Sequence, residues 1–409
     1  MAVANVEWLF YALLAAFPWE GQLHYPTQTI TVVKLLGLLL IGAWVLRAVR
    51  HNETLRTSSA VLPAALFAMF VTFSLLLSPD IGLGVSKYLR YVLFVVFFYL
   101  VLQLTPERKD VVRALKVIAL SSSVAAVIGL ENFLFKGFGR AGGPISDPND
   151  FAYLMVAMLP LITYLFASDK LRRPLWGICF VVTLAAMLAT LSRGAIVGLV
   201  ALAVWAIVSR SLRLGGIIVG VLAGLGVLLL SFTLWSSIIN EKLQSKSQIA
   251  GANAQSRQAF WAAAERMWLD RPVTGVGPQR FGELASQYVR NNPIDLEKPV
   301  VHNTYLEVLA ESGLFAFLAF VGYLIAVWRQ LASGRRRARA AGDQDSWRLN
   351  TALQASLVVA TVSGMFLSEE LSVPFWLIGG LAATASVVVA SKSEEPAPAA
   401  PAEAAPAAA

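Results

Sequence analysis

Apolar runs of about 18 to 22 residues recur along this chain, each long enough for one helix to cross the hydrocarbon layer of a bilayer. In that medium every backbone N–H and C=O must find a partner, and a helix satisfies them within its own segment. The runs therefore predict an all-α, polytopic membrane protein. Hydropathy places about twelve spans, at roughly 5 to 18, 29 to 47, 59 to 78, 84 to 103, 112 to 131, 149 to 168, 174 to 191, 194 to 209, 214 to 235, 303 to 328, 349 to 368 and 374 to 391. Composition agrees, with 57% hydrophobic and only 14% charged residues. The first apolar stretch, "VEWLFYALLAAF", has neither a basic leader nor a small-residue cleavage site, and reads as the first span.

Four regions follow. Residues 1–235 carry spans one to nine, 236–301 form a long loop containing an amphipathic helix, 302–391 carry spans ten to twelve, and 392–409 are a Pro/Ala-rich tail expected to be disordered. Cys179 is the single cysteine, so an intrachain disulfide is excluded and no metal site is expected. The net charge of +8 does not call for nucleic acid, because no nucleic-acid module is present and basic residues in polytopic proteins set topology and meet lipid headgroups.

Orientation follows from the distribution of Lys and Arg. One set of loops holds Arg47, Arg50 and Arg56, then Arg108, Lys109 and Arg113, then Lys170, Arg172 and Arg173, then Arg210 and Arg213, then "GRRRAR" at 334–339. The opposite short loops hold Lys87, Lys136, Arg140 and Arg193. The positive-inside rule puts the first set and both termini in the cytoplasm, and the loop 236–301 on the outer face, which in a bacterium is the periplasm or cell exterior.

That outer face gathers charges from segments distant in sequence. Arg193, in "LSRGA", stands at the start of span eight, where free backbone N–H groups favour an anion; it calls for an acidic partner or a bound phosphate, unless it only snorkels at the interface. Arg140 and Asp150 lie in "GRAGGPISDPNDFA", an ordered turn in which Asp147 or Asn149 caps span six with Pro148 in its first turn. Asp150 is available to pair with an arginine. Arg257 precedes a stripe of Phe260, Trp261, Ala264, Met267 and Trp268 on a helix suited to the membrane interface or to a lid over the spans. "GVGPQRF", with Arg280, reads as a turn. Lys34, Lys87, Arg90 and Glu369 are candidate cavity-lining residues on topology alone.

His302, in "VVHNTYLEVLAESG", stands at the start of span ten. The helix dipole and the neighbouring cations both disfavour imidazolium, which suits a general base; a histidine that only caps or anchors the helix is the other reading.

Together these segments resemble the bacterial O-antigen ligase family, which includes O-antigen polymerases and protein O-oligosaccharyltransferases. The matching features are "GRAGGPISDPNDFA", "LSRGA", the stretch from "SRQAFW" to "TGVGPQRF", and "HNTYLEVLAESG", in the family's order. The resemblance implies a GT-C-like, inverting glycosyltransferase of the bacterial inner membrane. It would transfer a glycan from undecaprenyl pyrophosphate to an acceptor hydroxyl at the periplasmic face, without metal, cofactor or nucleotide sugar. It carries Arg193, Arg257 and His302 over as functional residues; the position of Arg140 and Arg280 on the same face makes either a candidate helper in binding pyrophosphate. A lipid A core sugar is the expected acceptor, and a growing polysaccharide or a protein hydroxyl are the alternatives. A transporter or flippase of lipid-linked sugars is the rival of a different class, disfavoured by the position of the charges at one face and by the absence of inverted repeats.

Overall fold

The computed structural model describes residues 2–20, 31–136, 139–145, 147–209, 256–289 and 299–393. The ninth expected span, Arg210, Arg213, parts 236–255 and 290–298 of the long loop, and the tail from residue 394 lie outside them. Among the described residues the chain is helical: α1 Ala2–Ala16, α2 Val32–His51, α3 Val61–Leu76, α4 Ile81–Leu104, α5 Arg108–Phe135, α6 Pro148–Ser168, α7 Arg173–Ala189 and α8 Arg193–Val208, then α9 over 256–270, α10 Phe281–Tyr288, α11 Thr304–Ala340, α12 Gln344–Ser363 and α13 Val373–Ser393. Among the described residues, six helices are long and apolar enough to cross a membrane and four shorter ones are apolar, as expected of a polytopic membrane protein.

Local chemistry sets the helix starts. Asp147 caps α6 by accepting from the Asn149 N–H at 2.6 Å, with Pro148 in the first turn. Thr31, Asp80, Asn303 and Asp343 cap α2, α4, α11 and α12 in the same way, and Glu107 and Asp110 close a capping box on α5. These caps satisfy N–H groups that have no partner within their own helix.

The core surrounds α6, whose residues Phe151 to Ile162 are buried without interruption. Within a bilayer the helices gain nothing by leaving water, so close packing must hold them together. Glycines and aromatics supply it. Tyr323 stacks on Trp376 with ring centroids 4.8 Å apart, and its hydroxyl donates to the Phe375 carbonyl at 3.0 Å. A β-carbon on Gly379 would collide with that hydroxyl, and one on Gly380 would meet Val101. Leu38, Leu39, Val45 and Val49 of α2 and Val200, Val204 and Ile207 of α8 face outward, as lipid-facing positions should.

Two ends can be distinguished. At one, Arg108 pairs with Asp343 and Asp345, Lys116 pairs with Asp169 at 2.6 Å, and Arg56 donates to the Leu102 and Thr105 carbonyls. The described residues of the more basic loop set meet here. The starts of α4, α6, α8, α11 and α13 meet at the other end, and that end carries the site.

Helix α11 is broken at Gly313, where φ is +78°. A side chain there would run into the Val273 carbonyl, so glycine is required. The segment 272–280 docks on the break and takes up the backbone groups around it. Val276 N–H donates to the Ala310 carbonyl at 2.9 Å, Gly277 N–H to the Glu311 carbonyl at 3.0 Å, and Leu314 N–H to the Pro272 carbonyl at 2.9 Å. "GVGP" is thus a turn, as expected, but its role is to seat α10 on the start of α11. Around it, Phe260, Ala264 and Met267 of α9 join Phe281 and Ala285 of α10 and Val301 and Ala310 in a small second core.

Candidate active site

His302 has a left-handed backbone, with φ +52°, unusual for a residue with a β-carbon. Its N–H donates to the Ser368 hydroxyl at 3.1 Å, and the preceding Val301 carbonyl accepts from the Trp261 indole N–H at 3.0 Å. Asn303 then caps α11 through the Tyr305 and Leu306 N–H groups. Thr304 fastens the helix start to the α12–α13 turn: its N–H donates to the Gly364 and Leu367 carbonyls, and its hydroxyl accepts from Glu369 N–H at 2.8 Å. The imidazole is therefore carried on a fixed segment.

Arg257 lies near it, and Arg193 and Arg140 lie near Arg257. Arg193 is the first residue of α8, with Gly194 packed against Phe366 and Leu367 of the same turn. Arg257 lies near the start of α9, half-buried, and its charge and that of Arg193 repel one another. Arg140 donates to the Thr190 carbonyl at 2.7 Å and to Asn149 Oδ1 at 2.6 Å, tying the loop before α6 to the α7–α8 turn. Among the described residues, none of the three forms an ion pair. Asp147, facing Arg140, Arg257 and His302, offsets part of this charge while its side chain caps α6. Burial, then the Arg257 guanidinium, push the His302 imidazole below its usual value, against weaker pulls from Asp147 and Glu307. A neutral imidazole beside unneutralised guanidiniums is suited to accept a proton next to a bound anion.

The other expected residues are placed differently. Lys87 is caged by carboxylates: its ammonium meets Glu307, Glu311 at 2.8 Å and Glu370 at 3.3 Å, and Tyr91 donates to Glu370. Glu311 also accepts from the Gln279 and Phe281 N–H groups, at 2.9 and 3.1 Å, so this cage anchors the docked 272–280 segment. Arg280 pairs with Glu283 at 3.1 Å beside that segment, apart from the arginine group. Lys34 and Arg90 line a cleft between α1, α2 and α4, walled mostly by Leu, Val and Phe. Asp150 lies close to Glu369 and, among the described residues, pairs with no arginine; burial and then the Asp150 charge hold Glu369 well above the usual carboxylate range.

The sequence offered a signal for the cage: Glu307 and Glu311 lie one helical turn apart at the start of an apolar run, where carboxylates need partners. Nothing in the sequence linked Ser368 or the Trp261 donor to His302.

Comparison with known proteins adds one family. A family model described as O-antigen ligase matches residues 178–321, a span that includes Arg193, Arg257, Arg280 and His302. No curated protein matches the chain. Over residues 178–321 this polytopic membrane protein is similar to the O-antigen ligase family.

Proposed function

We propose that this protein transfers a glycan from undecaprenyl pyrophosphate to an acceptor hydroxyl, that of a lipid A core sugar, at the periplasmic face of the bacterial inner membrane. The observation that carries the reading is the grouping of Arg193, Arg140 and His302 around Arg257. In this reading the chain has twelve spans in a GT-C-like arrangement, with both termini cytoplasmic and the long loop outside.

Arg193 and Arg257 hold the pyrophosphate, and Arg140 holds the loop that shapes its site. The acceptor oxygen attacks the anomeric carbon as its proton passes to the imidazole of His302. The bond from that carbon to the phosphate oxygen breaks on the opposite face, so configuration inverts. Charge building on the leaving pyrophosphate meets guanidiniums already in place, which supply what a divalent ion supplies in other transferases.

The test uses purified full-length protein in detergent, a lipid-pyrophosphate glycan donor and three acceptors: lipid A core, free polysaccharide and a Ser/Thr peptide. Transfer to lipid A core is expected, unchanged by a chelator, and His302→Ala should slow it by about 100-fold or more. A transporter would show no transfer without a sealed membrane. Near-normal transfer by His302→Ala would remove the base.

A further inference from the structure

The left-handed backbone of His302 is held from both sides. Its N–H is taken by Ser368 on the α12–α13 turn, and the carbonyl before it is taken by Trp261 on α9. Trp261 lies one helical turn after Arg257, and its ring packs against Phe366 with centroids 6.5 Å apart, two residues before Ser368. Two segments thus close on one peptide, and one of them also carries the arginine nearest in function to the histidine.

We propose that the Trp261 indole N–H and the Ser368 hydroxyl form a clamp that holds His302 in its left-handed conformation and so positions the imidazole beside Arg257. The inference rests on the reading of His302 as the base. A non-glycine residue keeps such a conformation only where its surroundings over-determine it. Release of either hydrogen bond lets φ return to negative values, and the direction of the Cα–Cβ bond swings with it. A displacement of about 1 Å at a reacting group can cost on the order of 100-fold in rate, so the clamp acts on turnover rather than on donor affinity. Trp261 and Ser368 are positioning residues.

Trp261→Phe keeps a ring against Phe366 and removes only the donor; Ser368→Ala removes the acceptor, and Ser368→Thr retains it. Two readouts are taken on the full-length protein: kcat and KM with the lipid-pyrophosphate glycan, and the ¹⁵N titration of the imidazole with His24→Gln and His51→Gln leaving His302 as the sole histidine. Trp261→Phe and Ser368→Ala should each lower kcat by about tenfold to a hundredfold. Donor KM should stay within about twofold, as expected when ground-state binding is untouched. The imidazole titration should move up towards 6.5 as the ring leaves its buried place beside Arg257. Ser368→Thr should match the unaltered protein. Unchanged kcat with an unchanged titration, or a rise in KM alone, would overturn the clamp. The titration reads the clamp without reference to transfer, whereas His302→Ala tests the base, so the two ideas fail separately; should Trp261→Phe not fold, Ser368→Ala carries both readouts.

Discussion

At His302, the pH dependence of transfer has a definite sign. A base must be neutral to accept a proton, and this imidazole titrates below the usual histidine value because of burial and Arg257. The kcat/KM profile should therefore be level near pH 7 and fall only as pH drops through a value below 6.5. Arg257→Gln removes one of the lowering causes, so whatever activity survives should show its acid limb at higher pH. Arg193→Lys tests geometry at constant charge. If both phosphate oxygens are held by the guanidinium fork, donor turnover should drop by about tenfold or more in a steady-state assay, because an ammonium is a point charge. The placing of Arg193 and His302 at helix starts was legible from their neighbours, since a cap residue and an apolar run bracket each. The left-handed φ of His302 was not, because it depends on Trp261 and Ser368, which are remote in sequence and meet it only in the folded chain.

Among the elements, helix starts and apolar runs were read closely: α6 begins where Asp147 and Pro148 require, and α8 where Arg193 stands. The break in α11 escaped, since one glycine in an apolar run is common and only the docked 272–280 segment makes Gly313 a boundary. The role of Lys87 differs from expectation for a similar reason. A lone cation near a helix start invites an anion from outside, yet Glu307, Glu311 and Glu370 converge on it from two other segments. Lys87→Met should cost about 3 to 5 kcal/mol, read as a lowered thermal midpoint, because it leaves buried carboxylates without their counter-charge. Adding Glu307→Gln to Lys87→Met should recover part of that loss, whereas a phosphate-binding lysine would show loss of donor affinity and no such recovery.

For the whole molecule, the all-helical, membrane-embedded class follows from hydropathy alone, while the way the helices meet does not. The junction of α11 and α13 depends on Gly379 admitting the Tyr323 hydroxyl and on the Tyr323–Trp376 stack. Gly379→Ala should lower stability in detergent by about 1 to 3 kcal/mol, the range for overfilling a packed interior, with the site residues untouched. The interruption at Gly313 has a mechanical consequence. It divides one rod into two pieces, and the first, 304–312, bridges the two cores, through Val308 on the main one and Ala310 on the small one. Warming should loosen α9 and α10 first and, through Ala310, reach 304–312 before 314–340. Amide hydrogen exchange along α11 should then show a step at Gly313 in place of a gradual fraying from the helix start. His302 lies on the side of the seam that joins the two cores.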